Sequence, residues 1–376
     1  MTQSASPQAT ASDPLDVLII GAGFNGIYQL HRLRQLGFTV RIFEAGADLG
    51  GIWHWNCYPG ARVDSHVPNY EFSMEELWRD WYWTERFPSW SELRRYFRYV
   101  DDKLDLRRDI RFNTRVTKAR FDASQQLWQV QSQDGTEAFA HFLIPCLGFA
   151  AKAYIPEIRG LGSFSGPCVH TAHWPQQGLE MQGRRVGVIG TGSTGIQIIT
   201  ELAPQVGHLY VMQRTPQYVV PLGCGPFPTD RRARINADPA RYIAQALDSA
   251  AVFGLEESST PALSVSAVER ERIYQAAWDK GGGFGFMLET FGDIIVSRAA
   301  NNTATDFIRA KIRSIVHDPV LAEKLCPNDL YAKRPLAVDG YYETYNRNNV
   351  TLVDIKAAPI VAITQSGIRT TAEDIC

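Results

Sequence analysis

Two glycine-rich stretches with the same internal spacing are the strongest chemical signal in this sequence. GAGFNG, from Gly21 to Gly26, follows the apolar run LDVLII, and GTGSTG, from Gly190 to Gly195, follows RRVGVI. In such a triplet the first glycine permits a tight turn, the second lets the backbone approach a pyrophosphate, and the third lets helix and strand pack closely. The following helix supplies amide donors and the positive end of its dipole. The sequence therefore predicts two dinucleotide-binding loops.

The residue that closes the strand after each loop differs between the two copies. Glu44 ends TVRIFE, where a carboxylate accepts hydrogen bonds from a ribose 2′-hydroxyl and repels a 2′-phosphate, which suits FAD or NAD. At the constant offset of 169 residues the second copy has Gln213, followed by Arg214 and Thr215. Losing the acid and adding a guanidinium favours a 2′-phosphate and hence NADP, although Arg214 alone would also suit a solvated strand end. Together the two sites predict a flavoprotein that is reduced by NADPH.

The hydrophobic pattern supplies the elements that these loops need. IYQLHRLRQLGF and IQIITELAPQVG have helical spacing after the two loops. Short alternating strands are expected between residues 111 and 148. A mostly helical region is expected between residues 225 and 324, broken by a GGGFGF loop at Gly281, and alternation returns after residue 349. The predicted fold is α/β, with two Rossmann-like dinucleotide-binding domains, for FAD and NADP, and a helical insertion in the NADP domain.

We expect a disordered tail over residues 1–13, the first part of the FAD domain over residues 14–150, and the NADP domain over residues 151–335. The helical insertion occupies about residues 225–330. Residues 336–376 are expected to return to the FAD domain and to leave it incomplete.

Composition argues against several classes of protein. A net charge of −2 gives no electrostatic reason to expect nucleic acid or an acidic membrane surface as a partner. The sequence shows no secretion signal and no apolar run near the roughly 20 residues of a membrane helix. Six scattered cysteines without a C-x-x-C motif indicate reduced thiols in the cytoplasm. We expect a cytoplasmic protein that requires no protein partner.

A third candidate is FSGPCVHTAHWP, which contains His170 and His173. A metal site is disfavoured because no cysteine or acid lies at ligand spacing, and a catalytic triad is disfavoured because the sequence has no nucleophile elbow. A joint between the two domains remains as the simplest interpretation. No metal is predicted.

This stretch also resembles the fingerprint F-x-G-x-x-x-H-x-x-x-W-P of the Baeyer–Villiger monooxygenases, and it lies between the glycine loops as it does in that family. The matching residues are Phe164, Gly166, His170, Trp174 and Pro175. The related N- and S-oxygenating flavin monooxygenases end the motif in Phe or Tyr. GGIWHWNCYPGARVD resembles the segment along the flavin ring, while KGGGFGF and AKRPLAVDGYYETYNRNNVTLVD resemble the cycloalkanone-oxidising members. The resemblance covers residues 16–354 and beyond.

The resemblance implies an FAD enzyme that uses NADPH and O2 to convert cyclic ketones to lactones through a C4a-peroxyflavin. It implies Arg334 as the catalytic cation, because a guanidinium keeps its charge without donating a proton to the oxidant. Asp64 matches the acid that positions this arginine and contacts the nicotinamide side. His170 is implied to act from a distance, by coupling domain rotation to cofactor geometry.

The resemblance also implies the residues that bind the two cofactors. The FAD contacts would be Gly21, Gly23, Phe24, Asn25, Gly26, Glu44, Gly51, Ile52, Trp53, Trp55, Asp64, Tyr70 and Val116. The NADP contacts would be Arg62, Gly190, Thr191, Gly192, Ser193, Thr194, Gly195, Arg214, Thr215, Lys333 and Arg334. Lys333 and Arg214 match the pair that holds the 2′-phosphate. Without the family motif, Trp53 and Tyr70 would equally suit a hydrophobic core, and Lys333-Arg334 an exposed basic pair.

The sequence stops at AEDIC, where the family continues into a further strand and the rest of the FAD domain. We expect either a shortened chain or a fold completed in another way, and an unpaired sheet edge would promote aggregation. An N- or S-oxygenating flavin monooxygenase and an inactive nucleotide-binding remnant stay open as alternatives. A disulfide reductase is disfavoured because the sequence has no vicinal cysteine pair.

Overall fold

The computed structural model describes residues 10–249 and 251–375. The strands are β1 (Leu15–Ile20), β2 (Val40–Phe43), β3 (Ile110–Arg111), β4 (Val116–Asp122), β5 (Leu127–Ser132), β6 (Glu137–Pro145), β7 (Arg185–Ile189), β8 (His208–Gln213), β9 (Val219–Val220), β10 (Leu336–Ala337), β11 (Val350–Asp354), β12 (Ile360–Ile363), β13 (Ile368–Thr370) and β14 (Asp374–Ile375). The helices are α1 (Phe24–Gln35), α2 (Ile52–Trp55), α3 (Glu75–Trp78), α4 (Trp90–Leu104), α5 (Ser193–Leu202), α6 (Thr229–Ala237), α7 (Pro239–Asp248), α8 (Ala267–Lys280), α9 (Gly283–Leu288), α10 (Arg298–Ile315), α11 (Pro319–Leu325) and α12 (Tyr341–Thr344).

The first sheet has the strand order β3-β2-β1-β6-β5-β4, in which the first four strands are parallel and the last three form an antiparallel meander. Strand β1 is central, and Leu18 and Ile19, which point to opposite faces, are both fully buried. Near-continuous apolar runs are typical of parallel strands that are covered on both sides. The loop after β1 and Glu44 after β2 therefore leave the sheet at the same edge, where nucleotides bind in such folds.

The second sheet has the order β11-β8-β7, with all pairs parallel, and α5 connects β7 to β8. Both predicted strand–loop–helix units are therefore present, which confirms the predicted α/β fold. The predicted strands between residues 111 and 148 are confirmed as β4, β5 and β6, with the short β3 before them.

The end of the chain differs from the sequence-based expectation. Strand β11 pairs with β8, so it lies in the second sheet and does not return to the first. The small sheet β12-β13-β14 packs on the same unit, since Ile360, Ile368 and Ile375 cluster with Met212 and Val353. This arrangement places residues 336–375 with the second domain. The apolar run VTLVD provides the partner that β8 needs on its outer side.

The mostly helical region is confirmed as α6 to α11. The expected GGGFGF loop is shorter than predicted. Only Gly281 and Gly282, with φ of 73° and 101°, form a turn, and α9 begins at Gly283. The helix forms because Phe286 and Met287 bury their side chains in the main hydrophobic core.

Side-chain contacts join the two nucleotide-binding units. The Tyr58 hydroxyl donates to Gln197 Oε1 over 2.9 Å, and Gln197 Nε2 donates to the Arg62 carbonyl over 3.1 Å. Gly60 lies against the same helix, because a Cβ at this position would be 2.7 Å from the Gln197 carbonyl oxygen. The segment that follows α2 is thereby held on α5.

The expected disordered tail lies mostly outside the described residues. Residues 1–9 are not described, and Thr10 and Asp13 exchange two backbone hydrogen bonds of 3.2 and 3.1 Å. Within the described part of the chain, no helix combines the length and the apolar character needed to cross a lipid bilayer.

Candidate active site

The first glycine loop is closed by its own backbone. Gly21 has a φ of 103°, and a Cβ at Gly26 would lie 1.9 Å from the Gly21 carbonyl oxygen. The loop packs against the start of α2, since a Cβ at Gly51 would lie 2.9 Å from the Gly23 Cα. Side chains are excluded at these positions, as close approach of helix, strand and ligand requires.

The second loop repeats this geometry and is open on its outer side. Gly190 has a φ of 105°, and a Cβ at Gly195 would lie 2.2 Å from the Gly190 carbonyl oxygen. In the described chain, no heavy atom lies within 4 Å of the Cβ positions of Gly190 or Gly192. Free space beside the first amides of α5 is what a bound pyrophosphate requires.

The side chains of the second loop line the same helix start. Ser193 and Thr194 form the first turn of α5, and Thr191 is buried with its hydroxyl donating to the Thr215 carbonyl over 3.3 Å. This bond ties the loop to the segment that follows β8. The structure therefore brings Thr215 to the second loop.

Glu44 and Gln213 occupy corresponding positions but face different partners. The Glu44 carboxylate is buried and accepts hydrogen bonds from the amides of Ala22 and Gly46, each over 2.6 Å. Gln213 donates instead to the Lys324 carbonyl, over 2.8 Å, at the end of α11. The acid is thus at the first loop, while its counterpart turns away from the second.

The two basic residues predicted to hold a 2′-phosphate differ in their surroundings. Arg214 is exposed and has no hydrogen bond or ion pair with any described residue. Lys333 lines a narrow groove together with residues 216–218, which follow Thr215 directly in the chain. Its ammonium group is paired with Asp329 over 2.8 Å, and both side chains are exposed. Arg214 is therefore the freer of the two cations.

Arg334 and Asp64 form a bidentate ion pair, although 270 residues separate them. Arg334 Nη2 lies 2.6 and 2.7 Å from the two carboxylate oxygens, and Nε lies 3.2 Å from Oδ2. Partial burial opposes the charge, but the hydrogen bonds and charge of Asp64 raise the pKa of Arg334 above its usual value. The Asp64 side chain is 11% exposed and the Arg334 side chain 55%, so Asp64 holds the guanidinium on its inner side and leaves its outer side open.

Aromatic rings surround this pair. Tyr70 meets the rings of Trp53 and Phe24 edge-on, each at 5.8 Å between centroids. Burial and the nearby charge of Asp64 raise the pKa of Tyr70. Trp53 Nε1 is a buried donor without a partner among the described residues. Such a donor is usually satisfied in the native state, which makes a bound ligand its natural partner.

The remaining predicted FAD contacts spread along the same edge. Asn25 is exposed in the first turn of α1, and Ile52 is exposed at the start of α2. Trp55 lies beside the Arg115 guanidinium, 5.9 Å from its ring centroid, and Val116 follows as the first residue of β4. These residues flank the loop without contacting Arg334.

Two phenylalanines near the ion pair were missed by sequence reasoning. Phe284 lies with its ring 5.8 Å from the Arg334 guanidinium, and Phe253 packs 4.7 Å from Phe284. The KGGGFGF stretch was noted as a whole, and its glycine turn was the signal for Phe284. No pattern in the sequence indicated Phe253, because the approach of its segment depends on tertiary packing.

His170 lies in the segment between the two domains and not at the ion pair. Its Nδ1 accepts from the Ala172 amide over 3.1 Å, and its ring is 5.9 Å from that of His173. Trp174 is buried, and its carbonyl accepts from the Cys57 thiol over 3.7 Å. The segment is thus anchored on the chain just after α2. Within the described residues, no three His, Cys, Asp or Glu side chains are placed to hold a metal ion.

Arg62 is placed between the units, but its guanidinium is engaged elsewhere. Its Nη1 lies 3.1 Å from Glu85 Oε2, 3.4 Å from the Phe87 carbonyl and 3.1 Å from Cys224 Sγ. Its carbonyl contacts the second unit through Gln197, and its guanidinium contacts the same unit through Cys224. The structure therefore gives Arg62 a connecting position, with its charge paired to Glu85.

The arrangement fits two dinucleotides and one reacting centre between them. Two glycine cradles with helix N-termini suit pyrophosphates, and the different surroundings of Glu44 and Gln213 suit different riboses. The cation at Arg334 can stabilise negative charge that develops on a nearby oxygen. The aromatic rings beside it can exclude water and contact planar or apolar molecules.

Comparison with known proteins agrees with this geometry. The model of the flavin-binding monooxygenase-like family matches residues 15–230. The chain is 45% identical over 362 residues to a Baeyer–Villiger monooxygenase of Pseudooceanicola batsensis, covering 96% of this chain and 66% of that protein. It is 42% identical over 373 residues to the cyclopentanone 1,2-monooxygenase of a Comamonas species, covering 98% of this chain and 68% of that protein.

A solved structure is similar over the same length. The crystal structure of cyclohexanone monooxygenase from Rhodococcus sp. Phi1 bound to NADP+ superposes with a TM-score of 0.93 at 45% identity, covering 98% of this chain and 70% of that one. The chain thus spans about two thirds of the length of the curated relatives it matches.

Proposed function

The chain belongs to the flavin-binding monooxygenase-like family, among the Baeyer–Villiger monooxygenases, and from this premise we propose that it oxidises cyclic ketones to lactones with FAD, NADPH and O2. The observation that carries the proposal is the bidentate Arg334–Asp64 pair, which lies among aromatic rings between the two glycine loops. It supplies a fixed cation where a ketone oxidation develops negative charge on oxygen.

FAD would be held by the first loop and its neighbours. The glycines from Gly21 to Gly26 take the pyrophosphate, and Glu44 takes the ribose hydroxyls at the end of β2. Trp53 and Tyr70 would line the side of the flavin ring, and the unpaired Trp53 Nε1 is available to a ligand there. Residues 14–150 would form the first part of this FAD domain.

NADPH would be held by the second loop. The glycines from Gly190 to Gly195 take the pyrophosphate, and Arg214 takes the 2′-phosphate with help from Lys333 and Thr215. The predicted range 151–335 would form this domain, with a helical insertion between β9 and β10, and β11 would complete its sheet.

When both cofactors are bound, the flavin would pass the two electrons of NADPH to O2, so that one oxygen atom can be inserted into the ketone and the other leaves as water. Arg334 stabilises developing negative charge near the carbonyl oxygen and keeps its proton throughout. Asp64 holds the guanidinium in one orientation by accepting from two of its nitrogens. Phe284 and Phe253 keep the space before the cation apolar.

We further propose a cytoplasmic enzyme that acts without a protein partner. All five cysteines that the structure describes are free thiols, as a reducing compartment favours. His170 is assigned a positioning role through its segment, because it lies where the two domains join.

The test is a product analysis of the purified chain supplied with FAD, NADPH and air. Cyclohexanone should give a lactone at a rate that depends on NADPH, and the protein should show a bound-flavin spectrum that NADPH bleaches. Oxidation of a thioether or amine without any lactone would instead assign the chain to the N- or S-oxygenating flavin monooxygenases. A colourless protein that consumes no NADPH after FAD is added would contradict the proposal.

A further inference from the structure

The segment from Asn69 to Phe72 contacts two different parts of the molecule. Tyr70 and Phe72 point toward α1, where their rings lie 5.8 and 5.0 Å from the ring of Phe24. Asn69 and Glu71 alternate with them and point toward the helical insertion. This alternation makes the segment a direct link between the first glycine loop and the insertion.

Glu71 and Arg232 form an ion pair that is nearly closed to solvent, with side chains 6% and 1% exposed. Arg232 Nη1 donates to both carboxylate oxygens, over 2.8 and 3.0 Å, and the Trp83 indole donates to Oε2 over 2.9 Å. Arg232 Nη2 donates to the Trp78 carbonyl. Because Arg232 lies on α6, the pair fixes this helix of the insertion onto the segment.

A second contact leads from the same segment to the candidate site. Asn69 Nδ2 donates to the Phe253 carbonyl over 3.0 Å, and the Tyr242 hydroxyl donates to Asn69 Oδ1 over 3.3 Å. Phe253 in turn packs on Phe284, which lies against Arg334. Tyr70, on one side of the reacting centre, therefore belongs to this segment. Phe253, on the other side, is hydrogen-bonded to it through Asn69.

We propose that Glu71 and Arg232 are positioning residues. By fixing the helical insertion on this segment, they orient Tyr70 and the two phenylalanines, Phe253 and Phe284, around Arg334. The inference rests on the proposed function for its catalytic consequence. Stability alone does not explain the pair, because well-packed apolar residues often replace a buried ion pair without loss of stability. The Arg232 guanidinium instead uses Nη1 for the carboxylate and Nη2 for the Trp78 carbonyl, and these directional hydrogen bonds fix one orientation, which is what a reacting centre requires.

The surroundings of Glu71 give the pair a distinct pH signature. Burial raises the pKa of Glu71 to about 7, in spite of the opposing effect of Arg232. The other ionisable groups that face it are Tyr96 and Tyr99 on α4 and Tyr242 on α7. Burial raises the pKa of each of them above the usual value of tyrosine. These tyrosines stay neutral between about pH 6 and 8, so Glu71 is the member of this cluster whose charge changes in that range, and comparison with the double variant isolates its contribution.

The test compares Glu71→Gln, Arg232→Met and the double variant with the original chain. Glu71→Gln leaves the buried charge of Arg232 without a counterion, and Arg232→Met leaves the Glu71 carboxylate without one. The double variant removes both charges and keeps an acceptor for Trp83. The double variant should regain the original melting temperature. Its FAD dissociation constant should remain about tenfold above that of the original chain, and its lactone yield per NADPH should remain below that of the original chain. The part of the pH dependence between about pH 6 and 8 that comes from Glu71 should be absent.

One further measurement and one control variant separate the possible outcomes. Amide hydrogen exchange of residues 69–72, without ketone, should be about tenfold faster in the double variant at an equal melting temperature. Arg34→Met with Asp109→Asn is the matched control, because this pair joins the far end of α1 to residue 109 and should change none of these values.

A double variant with the original exchange rates, FAD affinity and pH profile would overturn the inference. A chain that makes no lactone while its double variant still shows faster exchange would contradict the proposed function alone. If the chain binds no FAD, faster exchange of residues 69–72 in the double variant supports the positioning role, and unchanged exchange contradicts it.

Discussion

At the scale of single residues, the candidate site depends on how Arg334 is held. A freely exposed arginine would lose side-chain entropy whenever it stabilised a developing charge. Asp64 removes part of this cost in advance, since it accepts from both Nε and Nη2. It leaves Nη1 without a hydrogen-bond partner in the described part of the chain. The pair therefore leaves Nη1 of a fixed guanidinium available as a donor.

Asp64→Asn should keep the shape of this pair but remove its charge. An amide can accept only through its oxygen, so the guanidinium loses one of its two acceptors. We expect lactone formation to fall by roughly 10²-fold, which is typical for disturbing a donor to a developing oxyanion. Stopped-flow measurement of flavin reduction by NADPH is the control. A variant with an unchanged lactone rate would show that Arg334 needs no fixed partner.

The two predicted phosphate-binding cations should differ in importance. Arg214→Ala should raise KM for NADPH by about 10- to 100-fold with little change in kcat, because a charged hydrogen bond contributes about 1.5–3 kcal/mol. Lys333→Ala should have a smaller effect, since Asp329 already holds its ammonium group. Asp329→Ala frees Lys333 and should lower KM for NADPH. KM for NADH serves as the control in all three variants, and a larger effect of Lys333 would reverse the ranking.

At the scale of elements, the two glycine loops could be predicted in detail from the sequence. Their equal spacing corresponds to nearly equal φ angles of 103° at Gly21 and 105° at Gly190. The spacing was predictive because each glycine is required by the local backbone geometry. The partner of β11 was not predictable in this way, since VTLVD is apolar enough to suit either sheet. The helix at Gly283 depends on burial of Phe286, which spacing alone does not show.

The glycines of the second loop allow a matched comparison. Gly192→Ala should leave the free energy of unfolding within about 0.5 kcal/mol, because no described atom lies within 4 Å of the new Cβ. It should nevertheless weaken NADP+ binding, since the methyl group occupies the space expected for the pyrophosphate.

Gly195→Ala, in contrast, should lower the free energy of unfolding. Its Cβ would lie 2.2 Å from the Gly190 carbonyl oxygen, so helix and loop must separate and the protein should lose stability. Urea unfolding and NADP+ titration of both variants make the comparison. Equal NADP+ affinity in Gly192→Ala and the original chain would show that the dinucleotide does not occupy this loop.

At the scale of the whole molecule, the candidate site could be predicted only in part. Sequence motifs indicated Arg334, Asp64 and the glycine loops, because these residues belong to long local patterns. The contacts of Glu71 with Arg232 and of Asn69 with Phe253 join residues 161 and 184 positions apart. No local pattern encodes such contacts, which arise from how the helical insertion packs on the first domain.

The second half of β6 and the residues that follow it form an exposed apolar surface. Among the described residues, this strand pairs beyond Ala140 with β1 alone, and its Phe142 is 63% exposed. Phe149, which follows the end of the strand at Pro145, is 94% exposed. Exposed strand edges with large apolar side chains promote association between chains. Phe149→Asp should therefore shift the protein toward smaller species in light scattering at rising concentration. Val268→Asp, at an exposed position on α8, is the control. Equal association of both variants would exclude this surface as the contact.

The most direct test of the whole account is lactone formation by Arg334→Ala at matched FAD occupancy. The account predicts that NADPH still reduces the flavin, because both glycine loops are intact, while lactone formation from cyclohexanone falls by about 10²–10³-fold. Lactone formation at the original rate would contradict the assignment of Arg334 and, with it, the proposed reacting centre between the two loops.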